Sequence, residues 1–127
     1  MNSLEEAIEA IEGGYEFLLA YAAQGFEANQ GGQHATDARN RLTGMKAALD
    51  ALDRLAKASV GSDAAYDSFL STLRADAERA AGIVSVVLGA DGISSQLIDN
   101  FNASSHVRTV LTDLFLLDEA LAQKAQS

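Results

Sequence analysis

No proline interrupts the 127 residues of this chain. Proline fixes φ and lacks the N–H that a helix interior needs, so its absence leaves helices free to run unbroken from one turn to the next. The apolar residues use that freedom. Leu4, Ile8, Ile11, Tyr15, Leu18, Ala22 and Phe26 recur at spacings of three and four, and Leu42, Met45, Leu49, Leu52 and Ala56 repeat the pattern. Tyr66, Phe69, Leu73, Ala77, Val84 and Val87 form a third run, and Leu97, Phe101, Ser104, Val107, Leu111, Leu114 and Leu121 a fourth. This is the period of one buried helix face, and it predicts an all-α fold.

Glycine supplies the punctuation. Gly31-Gly32, Gly61 and Gly89 with Asp91-Gly92 separate the four runs, as turn and helix-end signals do. Ser3-Leu4-Glu5-Glu6 reads as a capping box, in which Ser3 and Glu6 each satisfy a free N–H of the first turn. Thr36 or Asp37, Ser62 or Asp63, and Ser94 or Ser95 stand where the later helices need N-caps. The resulting expectation is four helices over about 3–28, 36–60, 62–88 and 94–124. Short loops force antiparallel neighbours, so the predicted architecture is an up-down-up-down four-helix bundle in a single domain. Gly13-Gly14 inside the first helix marks either a kink or a close approach by a neighbour.

Charge excludes some functions. The formal charge is −9, and no basic face of the kind that grips a phosphate backbone is present overall, so nucleic acid is not an expected partner. Anionic lipid would repel the chain, and no apolar stretch approaches the ~20 residues of a membrane span. The charge is also uneven. Glu5, Glu6, Glu9, Glu12, Glu16, Glu27 and Asp37 occur before any Lys or Arg, whereas Arg39, Arg41, Lys46, Arg54 and Lys57 outweigh Asp50 and Asp53. An acidic first helix lying against a basic second one accounts for this asymmetry. An acidic N-terminus unlike a signal peptide, with no cysteine, makes the cytoplasm the expected location.

Without cysteine there are no disulfides, thiol nucleophiles or cysteine-held metals. A di-iron bundle needs Glu-x-x-His pairs, and the chain has none and only two histidines. No cofactor or metal is therefore expected, and no catalytic residue is assigned. One constellation carries possible chemistry. Asp99, Asn102, His106, Thr109 and Asp113 fall at spacings of three and four, which on a single unbroken helix makes one polar stripe. A carboxylate near an imidazole raises its pKa, so the stripe is a candidate site for a small ligand or metal, or simply a solvated face.

The apolar excess points elsewhere. Leu114-Phe115-Leu116-Leu117 is apolar right round the helix, while a bundle core buries a single stripe. Phe17 and Tyr21 lie one turn apart and off the first apolar run. Phe17, Tyr21, Leu114, Phe115 and Leu117 are thus expected to contact a partner, with a symmetric homodimer the commonest arrangement. The expected function is a non-catalytic accessory, regulatory or assembly role through contact with another protein or a second copy.

Overall fold

A computed structural model of the chain, described over residues 2–126, is helical throughout, with no strand among the described residues. The described residues form five α-helices: α1 (Leu4–Ala22), α2 (Gln33–Val60), α3 (Asp67–Leu88), α4 (Ser95–Ala103) and α5 (His106–Gln126). A short 3-10 turn, Ala64–Tyr66, leads into α3. The predicted four-helix count is therefore corrected to five, because the fourth segment is two helices. The break falls at Ser104-Ser105, where Ser105 adopts φ 66°. A non-glycine residue in that region cannot continue a right-handed helix. The Ser104 hydroxyl donates to the Phe101 carbonyl at 2.6 Å, satisfying an end the helix has left open.

Contacts along the helices set their directions. Gly14 meets Met45 and Phe17 meets Arg41, so α2 runs antiparallel to α1. Arg39 reaches the Leu88 carbonyl, and Leu49 and Asp50 share a groove with Ala77 and Glu78, so α3 returns along α2. Asp63 pairs with Lys124 and Asp76 faces Asp113, which turns α5 back along α3. α4 packs against α1 instead of extending α5.

The core holds most of the predicted apolar positions, including Ile11, Leu18, Leu42, Met45, Leu52, Leu73, Val84 and Phe101. In α1 the fully buried stripe is Ala7, Ile11, Gly14, Leu18 and Tyr21, while Leu4, Ile8 and Tyr15 flank it. The stripe has rotated relative to expectation because two of its members, Ala7 and Gly14, are small. A Cβ built on Gly14 would stand 2.5 Å from Met45 Cγ and Sδ. Gly14 is thus neither a kink nor a backbone crossing, but the hollow that receives Met45. Gly14→Ala should displace that flexible side chain and gain helix propensity, for a net loss of about 1 kcal/mol in urea unfolding.

The termini of the helices follow the sequence only in part. Ser3 Oγ accepts from the Glu6 N–H at 3.1 Å, but the Glu6 carboxylate takes the Ser3 hydroxyl rather than a backbone N–H. α2 begins at Gln33 behind Gly32, without a side-chain cap, so neither Thr36 nor Asp37 caps it. Asp63 caps the 3-10 turn rather than α3, and Ser94 caps α4 through the Leu97 N–H at 3.0 Å. Gly89 ends α3 at φ −78°, an ordinary right-handed value.

Candidate functional site

The break at Ser105 divides the polar stripe. Asp99 and Asn102 lie on α4, and His106, Thr109 and Asp113 on α5, so these residues do not share one face of one helix. His106 is the first residue of α5 and not a mid-helix position. Asn102 turns inward and donates to the Leu18 carbonyl at 3.3 Å, tying α4 to α1. Thr109 bonds back to the Ser105 carbonyl at 3.0 Å, inside its own first turn. Asp99 is exposed. The stripe was legible as a spacing, but the backbone scatters it.

Asn102 Oδ1 is buried without a hydrogen-bond partner, and Asp113 has the more unusual setting. Its Oδ2 is buried without a hydrogen-bond partner, and the group opposite it is the Asp76 carboxyl of α3. Burial first, and the neighbouring Asp76 second, push the Asp113 pKa up to about 7. Two carboxylates that face each other across a half-buried gap share one proton more readily than they both ionise. Asp76 in turn accepts from the Arg79 guanidinium at 3.2 Å. No sequence signal foretold this pair, since its members lie on different helices and meet only through the register of α3 against α5.

The expected contact residues also separate. Leu114 and Leu117 are wholly inside the core, and Tyr21 is 2% exposed, so these three are occupied within the chain and cannot form an outer surface. The reason for Leu114 and Leu117 is the helical turn itself, which places them on the inner face and Phe115 and Leu116 on the outer one. The Tyr21 hydroxyl donates to the Ile93 carbonyl at 2.6 Å, and burial raises its pKa. Phe17 is half-buried, stacked on Tyr21 at 6.3 Å, with the Arg41 guanidinium 5.3 Å over its ring.

What remains outside includes large apolar residues on α1 and α5. Leu19 is 46% exposed, Phe115 47% and Leu116 62%. Leu19 and Phe115, with Tyr15, Leu111 and Thr112, line a groove of about 320 Å3 bordered by Glu12 and Glu16 on α1 and by Arg108 on α5. Leu19 and Leu116 were not singled out from the sequence. Leu19 has a periodicity signal, because it continues the Glu5, Glu9, Glu12, Glu16 ridge by three residues and is its one apolar member.

The basic segment of α2 does not neutralise that ridge. Lys46 pairs with Asp50 and Lys57 with Asp53, each at 2.9 Å within α2. Arg39 gives its guanidinium to the carbonyls of Leu88, Ala90 and Asp91. None of the ion pairs among the described residues includes a glutamate of α1. The acidic first helix does lie against the basic second one, as expected from the sequence, with Arg41 over Phe17, but without direct ion pairs to the α1 glutamates among the described residues.

No family model matches the chain, and no curated protein or solved structure matches it either. Among the described residues no group of three or more His, Asp or Glu side chains is placed to hold a metal, and no helix is long and apolar enough to cross a membrane.

Proposed function

We propose that this chain is a non-catalytic interaction module that works by docking a protein on its α1/α5 face. The observation that carries the reading is that Leu19 and Phe115, both about half-exposed, meet with Tyr15 and Leu111 over one groove between α1 and α5. Val86, on α3, is the other large apolar residue left strongly exposed among the described residues. Single exposed apolar residues need no explanation, but a cluster over a groove with a charged rim has the make-up of a contact surface. Accessory, regulatory and assembly roles all use such a surface, and the homodimer expected from the sequence would use it too.

Phe115→Asp tests the reading. The side chain is half-exposed, so the helix content by circular dichroism should stay unchanged. Association seen by light scattering or pull-down should weaken by about tenfold or more, the effect of removing an aromatic anchor. Unchanged association, both with itself and with captured protein, would remove Phe115 from the interface and leave the face without a role.

A further inference from the structure

The rim of the α1/α5 groove decides what kind of protein fits it. On the α1 side stand Glu12 and Glu16, continued along the same helix by Glu9 and Glu5. On the α5 side Glu119 lies one turn beyond Phe115, and Arg108 is the basic residue of the lining. The glutamates of α1 take part in none of the ion pairs among the described residues. The face is therefore an apolar centre whose margin sets two carboxylates against one guanidinium, a net acidic balance. In a symmetric dimer each Arg108 could answer one of the two glutamates of the other copy, and an acidic excess would remain on both sides.

Resting on the interaction reading above, we propose that the occupant of this groove is a cationic amphipathic helix of a partner protein, and not a second copy of the chain. The lining runs from Glu12 to Leu19 on α1 and from Arg108 to Phe115 on α5. Two turns of helix, about 10 Å, match the i, i+3/i+4, i+7 anchors with which an amphipathic helix enters such a groove. Large apolar anchors of the incoming helix cover Tyr15, Leu19, Leu111 and Phe115. Lys or Arg residues on its flank meet Glu12 and Glu16, and the flank toward Arg108 is neutral or acidic.

The test uses the purified full chain and a panel of fluorescein-labelled synthetic helices of about 20 residues, with Leu, Phe or Met anchors and Lys flanks. A matched panel keeps the anchors and replaces Lys with Glu. Fluorescence anisotropy should give Lys-flanked members a Kd of about 10–100 μM, rising at least about threefold between about 50 and 300 mM NaCl. Glu12→Gln/Glu16→Gln should weaken binding about threefold or more, Leu19→Asp about tenfold, and the Glu-flanked panel should not bind. Equal binding of both panels, or affinity indifferent to Glu12 and Glu16, overturns the charge assignment. Failure of every Lys-flanked member below about 1 mM, in a chain that forms dimers abolished by Phe115→Asp, overturns the cationic occupant but leaves the interaction reading standing. Failure of every member by a monomeric chain overturns both.

Discussion

Ser95→Ala is expected to lower the unfolding free energy by about 2–3 kcal/mol, with a fall in Tm of roughly 8 °C. Ser95 is 3% exposed, the one buried polar residue in a core otherwise made of apolar side chains. Its hydroxyl donates to the Tyr21 carbonyl at 2.8 Å and accepts from the Phe26 N–H at 2.8 Å. Its own N–H donates to the Phe26 carbonyl at 2.9 Å. The start of α4 thus closes the open end of α1, where helical carbonyls have no partner in their own helix. Alanine keeps the shape and the backbone bond but strands the Phe26 N–H, at about 1–3 kcal/mol for a buried donor without a partner. Tyr21 O loses less, because the Gln24 N–H still reaches it at 3.1 Å. Urea titration measures the total, and hydrogen exchange locates it, since protection at the Phe26 amide should collapse first. A loss under about 1 kcal/mol would show that Ser95 does not hold this end of α1.

The fold was legible where one helix decides the matter alone. The α2 stripe Leu42, Met45, Leu49, Leu52 and Ala56 is buried as its period requires, and Ser94 caps the helix it precedes. That Leu114–Leu117 exceeds one stripe was legible in the same way, but not which of the four face outward: Phe115 and Leu116 do, while Leu114 and Leu117 are core. What failed were features set by two segments at once. Tyr21 looked superfluous to the α1 stripe because its neighbours in that stripe include Ala7 and Gly14, and because its hydroxyl partner is the carbonyl of Ile93. The left-handed Ser105 gave only an indirect sign, the poor helix propensity of Asp99–Ser105, since glycine or asparagine is the usual residue there. The charge asymmetry foretells that α1 lies against α2, but not the ion pairs, because helical i to i+4 neighbours already satisfy Lys46 and Lys57.

Asp113→Asn is expected to stabilise the protein above neutral pH, an unusual sign for removing a charge from a helix. In the unfolded chain the Asp113 carboxyl titrates near its ordinary value of 3.8, and in the folded chain at about 7, raised first by burial and then by Asp76. Between those values the folded state holds a proton that the unfolded state has released. Stability therefore falls as pH rises through that window, stays at its lower level above it, and is unaffected by this group below pH 3.8. A shift of this size corresponds to several kcal/mol in a dry interior, but solvent reaches much of the side chain and screens it, leaving about 1–2 kcal/mol. Asparagine never ionises, so the variant should exceed the wild type by about that amount near pH 8 and draw level near pH 4. Asp76→Asn should recover less, because it also strips the Arg79 guanidinium of its acceptor. Urea unfolding of the three proteins at about pH 4, 6 and 8 separates the terms. If Asp113→Asn were destabilising by an equal amount at every pH, the carboxylate would be a favourable contact of α5 with α3, and the shared proton between Asp76 and Asp113 would have no place in the fold.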